Sequence, residues 1–398
     1  MREVVIVGAA RTPFGKYGGA LKSLKAVELG AITIKEAINR AGIQPDQVEY
    51  LYYGQVVQAG CGQVPGRQAG LKAGLPVEVP SITVNKVCSS GIVTCGLAYK
   101  MIAGGFLDIA MGGGMESMSN IPFGLPDMRW GARMGIPFKN TVDLMVWDGL
   151  WCAIYNRHMA IHGSEVAREF NLDRLPQDLW AVRSQNRAEA AIKAGRMVDE
   201  IVPVTLPGKK PVIVDTDEAP RFGCKYEDLA KLPPVFDPNG SVTAGNAPGT
   251  NDGASALVLM SREKADELGI KPLATVLGYA EVSQEPRYIA TVPGLSIAKL
   301  LKEKGMTTDD LDLIEINEAF AAVALTSGKA ILGLNDDQMD AKVNVNGSAV
   351  AFGHPIGATG GRIVMTAAYE LKRRGGGLAA CGICSGAAQG DAILLKVE

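Results

Sequence analysis

The chain has 398 residues with 40 Lys and Arg against 42 Asp and Glu, a net charge of −2, so neither nucleic acid nor an acidic membrane surface is an expected partner. Hydrophobic residues make up 47% of it, enough to build two or three cored domains, yet no apolar run nears the roughly 18 residues of a membrane-spanning helix. Residues 1–8 pass straight into an apolar strand, which leaves no signal or transit peptide, and seven is an odd number of cysteines; together they predict a cytoplasmic protein with reduced thiols.

In chain order, the opening strand leads to an amphipathic helix over residues 29–41. Further on, Ser81-Ile82-Thr83-Val84 reads as a short buried strand, and an apolar helical stretch occupies residues 92–102. Between them lies Asn85-Lys86-Val87-Cys88-Ser89-Ser90-Gly91. A cysteine at a strand-to-helix junction feels the positive end of the helix, which predicts a lowered thiol pKa, and its own amide can face an oxyanion. A buried cysteine is otherwise an inert small hydrophobe, so Cys88 alone fits two readings. A strand follows at Ile109-Ala110-Met111-Gly112.

The middle of the chain, residues 119–246, carries all four tryptophans (Trp130, Trp147, Trp151 and Trp180), scattered prolines and a loop-like stretch over 202–239. It reads as a lid or binding insertion rather than a core. Met159, after His158, suits either a pocket wall or a gap-filling core position. Lys209, Lys210 and Lys231 share their stretch with Asp215, Asp217, Glu218, Glu227 and Asp228, so the charges cancel and no phosphate patch results. No GxGxxG follows the first strand and no Walker glycine-lysine motif is present, which argues against a nucleotide site.

Beyond a helix over residues 295–304, the stretch 344–361 is dense in small residues and holds His354, one of only three histidines with His158 and His162. Near the end, Cys381-Gly382-Ile383-Cys384 spells C-x-x-C. It ends an apolar strand instead of opening a helix and has no second ligand pair, so redox and zinc readings are disfavoured. Strand 392–397 closes the chain. The sequence also repeats itself. Residues 42–51 match 305–314, offset by 263 positions, and residues 90–99 match 360–369, offset by 270. Two α/β halves of like order therefore flank a segment without a copy.

The block Val84-Asn85-Lys86-Val87-Cys88-Ser89-Ser90-Gly91, the tetrad Asn317-Glu318-Ala319-Phe320, the glycine-rich run 344–361 and Cys384-Ser385-Gly386 resemble, in order and spacing, the four signature regions of the thiolases. The resemblance spans essentially the whole chain. It implies an α/β fold of two duplicated βαβαβαββ halves in an α/β/α/β/α layering with an inserted loop domain. The segments would be an N-terminal half over 1–118, a coenzyme A-covering loop domain over 119–246, a return to the first half over 247–270 and a C-terminal half over 271–398.

The resemblance further implies catalytic roles for Cys88 as nucleophile, His354 as its base and Cys384 as the acid/base at the α-carbon. One oxyanion site would be His354 with a water held by Asn317, the other the amides of Cys88 and Gly386. His158, Met159, Arg221, Phe236, Ala247 and Phe320 would line the acyl and coenzyme A path. The implied reaction is reversible condensation of two acetyl-CoA to acetoacetyl-CoA and coenzyme A. A broad-range degradative 3-ketoacyl-CoA thiolase and a ketoacyl-carrier-protein synthase-like enzyme are the alternatives. A non-catalytic acyl-CoA-binding module would have no use for all three catalytic residues. No metal and no cofactor is implied; coenzyme A thioesters are substrates, in the context of fatty acid metabolism, and the assembly would be a homotetramer. Three positions depart from the family pattern: Pro248 stands where a serine meets pantetheine, Ser348 replaces glycine before Ala349, and Ala160 follows Met159. Proline cannot donate a hydrogen bond, so coenzyme A placement is expected to differ there.

Overall fold

The structure, a computed structural model, describes residues 1–131, 134, 140–208 and 210–398. Lys209 of the charge-cancelled stretch therefore lies outside the described residues. The first half runs β1 (Val4–Arg11), α1 (Ala26–Ala41), β2 (Tyr50–Gly54), α2 (Pro65–Ala73), β3 (Ser81–Val84), α3 (Ser90–Ala103) and β4 (Ile109–Ser117). After an inserted segment that holds α4 (Met159–Glu169) and α5 (Arg174–Lys193), it closes with β5 (Asn251–Ser261). The second half repeats the order with β6 (Ala274–Ser283), α6 (Val292–Glu303), β7 (Leu313–Ile316), α7 (Ala321–Leu325), α8 (Thr359–Arg374), β8 (Gly377–Ser385) and β9 (Gln389–Val397). A single parallel bridge from Ile314 to Val343 stands where β3 pairs with β2 in the first half. The duplicated βαβαβαββ order is thus present.

The strands form one mixed sheet in the order β7-β8-β9-β6-β1-β5-β4-β2-β3, with the short strand Gly15–Lys16 added on β5. The halves meet where β1 pairs antiparallel with β6, over Val4–Val276, Val5–Thr275 and Ile6–Ala274. Each of these two strands carries an irregularity at the same place, between Ile6 and Gly8 and between Val276 and Gly278. That shared offset of 270 repeats the one read from the sequence.

Strand alternation explains the layering. Val5, Val7 and Ala10 of β1 join a core with α1 and α2, whereas Val4, Ile6 and Ala9 join one with α3 and α8. A third core packs α6 and α7 on the outer face of the second half. The layers are therefore outer helices, the strands of one half, inner helices, the strands of the other half, outer helices. An inner helix is buried all round, because both its faces meet strands. Every residue of α8 from Thr359 to Leu371 is buried, while α1 buries one stripe (Leu29, Ile34, Ala37, Ile38 and Ala41 among them). The N-terminal turns of α3 and α8 touch backbone to backbone. A Cβ on Gly360 would lie 2.2 Å from the Ile92 nitrogen, and one on Gly91 would lie 2.9 Å from the Gly361 nitrogen. Only glycine permits that approach.

Two expectations are corrected. β3 is not buried: it is the last strand of the sheet with a single neighbour, and Ile82 is 43% exposed. The inserted segment is not merely a lid, since α5 buries Trp180, Ala181, Ser184 and Ala188 and stands over the second half. Its loop-like stretch also holds a ribbon of Val204–Leu206 with Val212–Val214 and the short helix Tyr226–Ala230. Among the described residues, no helix is long and apolar enough to cross a membrane.

Candidate active site

The turn from β3 to α3 is built by side-chain bonds to backbone. Asn85 Oδ1 accepts from the Val87 amide at 3.0 Å, and Asn85 Nδ2 donates to the Val56 carbonyl at 3.1 Å. Ser90 Oγ accepts from the Lys86 amide at 2.9 Å and donates to the Val87 carbonyl at 2.7 Å. These bonds hold Val87 at φ 46°, a left-handed conformation costly for a β-branched residue. The strained corner turns Cys88, half-buried, to the wall of a cavity. Its thiol does not follow the expectation from the helix end. Burial pushes it up to about 12, opposed by its own backbone amide and reinforced by the Glu116 carboxyl. α3 begins two residues later, and burial is the dominant cause at the thiol.

His354 reaches the same cavity from the second half. Its amide donates to Asn251 Oδ1 at 2.9 Å, and Nδ1 lies 2.7 Å from Thr359 Oγ1. The Thr359 hydroxyl donates its only proton to the Pro355 carbonyl at 3.0 Å, so it accepts from His354. Nδ1 therefore carries the ring proton, and Nε2 keeps its lone pair. Nε2 is buried and has no partner among the described residues. Burial, then the nearby Arg362 guanidinium, push the imidazole down to about 3. The N-terminus of α8 disfavours a cation in the same sense. His354 is thus a neutral acceptor.

Cys384 lies at the end of β8, fully buried. Burial first, then the neighbouring Cys88 sulfur, raise its thiol well above the ordinary value. Cys381, three residues earlier, faces the other side of the sheet, toward the Ile363 carbonyl at 3.6 Å. Residues i and i+3 of a strand point apart, so the C-x-x-C residues join different cores and are not a dithiol pair. The next turn is tied to the Cys88 loop by Ser385 Oγ, which donates to the Lys86 carbonyl at 2.7 Å, and Gly386 lines the cavity beside Val87. Asn317 follows β7 with its amide on the Gly382 carbonyl; its side chain is buried with both polar atoms unpartnered among the described residues. An unsatisfied carboxamide in that position suits a polar ligand such as water.

The cavity encloses about 260 Å³ and is lined by Cys88, His354, Gly386, His158, Met159, Phe236, Ala247, Pro248, Ala319 and Phe320, with Met118, Val242, Ile289 and Ile356 among the remainder. Burial grades its walls: Ile289 and Phe320 belong to the core, whereas Phe236 is 62% exposed. His158 caps α4, its Nδ1 accepting the Ala160 amide at 3.1 Å, which leaves the ring proton on Nε2. Its ring stacks on Phe236 at 3.6 Å between centroids and 12° between planes. Phe236 holds φ 64°, strained for an aromatic residue. Cys384, Asn317 and Arg221 are not in the lining, and the two former are fully buried. Arg221 is exposed, its guanidinium on the Ala244 carbonyl at 3.1 Å at the rim. Pro248 is in the wall, so that wall lacks one amide donor. Ser348 is buried and accepts from Arg362 at 3.0 Å, away from the cavity.

Two residues not anticipated from sequence stand out. Thr359 orients His354, and its place in the first turn of α8 was the available signal. Glu116, buried in β4, accepts the amides of Val56 at 3.0 Å, Val57 at 3.2 Å and Gly357 at 3.0 Å, which clamps two segments that border the cavity to one carboxyl. Burial raises its pKa to about 8 against those three bonds. Among the described residues, no cluster of His, Cys, Asp and Glu is arranged to hold a metal.

The family model for the thiolase N-terminal domain matches residues 4–263, and that for the thiolase C-terminal domain matches residues 270–397. The chain is 47% identical over 396 residues to an acetyl-CoA acetyltransferase of Syntrophomonas wolfei, covering 99% of both. It is 47% identical over 398 residues to one of Cupriavidus necator, covering both completely, and 44% identical to a probable acetyl-CoA acetyltransferase of Escherichia coli K12 over 100% of this chain and 99% of that one. With two family models spanning nearly all of its length and relatives of this identity from end to end, the chain belongs to the thiolase family.

Proposed function

We propose that this protein is an acetyl-CoA C-acetyltransferase, which joins two acetyl-CoA into acetoacetyl-CoA and coenzyme A through an acetyl group on Cys88. What carries this reading is the meeting, at one narrow apolar cavity, of the Cys88 thiol from one half and the bare His354 nitrogen from the other, with the Cys384 thiol buried beside Cys88. His354 Nε2 takes the thiol proton as Cys88 Sγ attacks the thioester carbon. Both groups are neutral at rest, so proton transfer accompanies bond formation. The Cys88 and Gly386 amides donate to the tetrahedral oxygen, and the Cys384 thiol protonates the departing coenzyme A sulfur, which leaves a Cys384 thiolate beside the His354 imidazolium. Cys384 then takes an α-proton from the second acetyl-CoA. The resulting enolate oxygen accepts from the protonated Nε2 of His354 and from a water on Asn317, while its carbon attacks acetyl-Cys88; the expelled Cys88 thiolate recovers its proton from His354.

His158, Met159, Phe236, Ala247 and Phe320 hold the acyl and pantetheine portions in this reading, and Arg221 meets the adenine end at the rim. No cofactor or metal takes part. The same proposal divides the chain into halves 1–118 with 247–270 and 271–398, and gives 119–246 the task of covering coenzyme A. Four large apolar side chains of that segment, Phe123, Leu125, Trp130 and Trp147, are 47–83% exposed, which supports assembly with further copies, as a homotetramer. We place the protein in the cytoplasm and in fatty acid metabolism.

Coenzyme A-dependent cleavage of acetoacetyl-CoA, beside a longer 3-ketoacyl-CoA and with Cys88→Ala as blank, tests the reading. Acetoacetyl-CoA is expected to disappear with acetyl retained on Cys88 by mass spectrometry. Acetyl label surviving in Cys88→Ala overturns the nucleophile. Equal turnover of all chain lengths replaces the proposal with a broad-range degradative thiolase.

A further inference from the structure

Phe320 forms part of the deep wall of the cavity, and behind its ring lies Gly163 of α4. A Cβ at position 163 would fall 2.8 Å from Phe320 Cδ2 and 3.3 Å from Cγ and Cε2. Contact with both the base and the edge of the ring prevents relief by a small slide. α4 itself is fixed. His158 caps its N-terminus, and Ser164 Oγ accepts the amides of Ser241 at 3.1 Å and Val242 at 3.2 Å from the opposite wall. Phe320 is otherwise embedded in the core with Ile289, and the cavity is the open volume its ring borders. Glycine inside a helix is disfavoured relative to alanine, so its presence in this buried position has no local advantage.

We propose that Gly163, which does not itself line the cavity, is a specificity-determining positioning residue: by letting the Phe320 ring lie back on α4, it gives the acyl end room for a 3-ketoacyl group one or two carbons longer than acetoacetyl. This rests on the acyltransferase reading above and extends it to chain length. An added methyl at 163 tilts the ring into the cavity, and the loss falls on the longer substrate.

The test compares kcat/KM for thiolytic cleavage of 3-ketohexanoyl-CoA and acetoacetyl-CoA in the unaltered protein, Gly163→Ala, Phe320→Leu and the double variant. The unaltered protein is expected to cleave both. Gly163→Ala is expected to lower the ratio of longer to shorter substrate by about tenfold, the usual scale for one or two misfitted methylenes. Phe320→Leu raises the ratio, and the double variant recovers it, which a merely structural effect of residue 163 would not produce. Should Gly163→Ala fold poorly, Phe320→Leu alone carries the test, and an unchanged ratio there overturns the inference. Acetoacetyl-CoA cleavage and acetyl-Cys88 with an unmoved ratio sink only the chain-length role. Absence of both sinks the acyltransferase reading and this inference with it.

Discussion

At the scale of single residues, the decisive atom is the hydroxyl of Thr359. Because it spends its proton on Pro355, it can only accept from His354, and the bare Nε2 is left on the cavity side. Thr359→Val preserves shape but removes the acceptor, so the other tautomer becomes equally available. We expect kcat to fall by about one to two orders of magnitude with little change in KM, since ground-state contacts are untouched. Steady-state kinetics with a thermal melt as control decides it; an unchanged kcat would remove Thr359 from the mechanism. Cys88, His354 and Cys384 stand out in the sequence because each sits in its own signature block. Thr359 and Glu116 were not legible, because their roles depend on which way a hydroxyl proton and three distant amides point. The burial that raises the Cys88 thiol was likewise not legible: a helix end can be read from sequence, but the apolar walls opposite it cannot.

Individual elements supply two further tests. The crossing of α3 and α8 brings the loops that carry Cys88 and His354 together, and it depends on Gly91 and Gly360. Gly360→Ala would place a methyl against backbone, which no rotamer relieves. A loss of about 1–3 kcal/mol in stability is expected by chemical denaturation. Activity at temperatures where the variant is folded should drop further than that loss explains; full activity would show that the crossing does not set the site. In α4, His162 is buried against the Arg157 guanidinium, 2.9 Å from Nδ1. Burial, then Arg157, lower its pKa to about 4. Between pH 4 and 6.5 the unfolded chain binds a proton there that the folded chain refuses, so stability falls as pH falls through that window. His162→Gln should flatten the dependence by up to about 1.4 kcal/mol per pH unit. Denaturation midpoints at pH 5 and 7 measure it, and an identical slope in the variant would deny His162 any part. That β3 is an edge escaped the sequence reading because Ser81-Ile82-Thr83-Val84 looks the same with one neighbour or two.

For the whole molecule, the repeats made the two halves legible, whereas the fastening of the inserted segment was hidden in isolated charges. Arg11 of β1 is wholly buried, bonded to Glu200 at 2.6 Å and to Asp217 at 2.6 and 2.8 Å. Removing the cation strands two carboxylates inside the protein. Arg11→Met is expected to cost about 3–5 kcal/mol and to open the 199–218 region to proteolysis. Wild-type resistance in the variant would show that the segment is held elsewhere. The offset of 270 between the halves has a last consequence, for ancestry. An ancestral half pairing with its twin would have owned two equal sites. Here the counterparts of Cys88, His354 and Cys384 are Ala358, Val84 and Gly114, none able to exchange a proton or attack a carbon. Nor is the second position merely idle. A Cβ on Gly114 would stand 2.1 Å from the carbonyl of Gly357, three residues past His354. The loop that serves the surviving site has grown through the place of its twin, so the loss of symmetry is irreversible: a cysteine restored at 114 would collide with the machinery that replaced it.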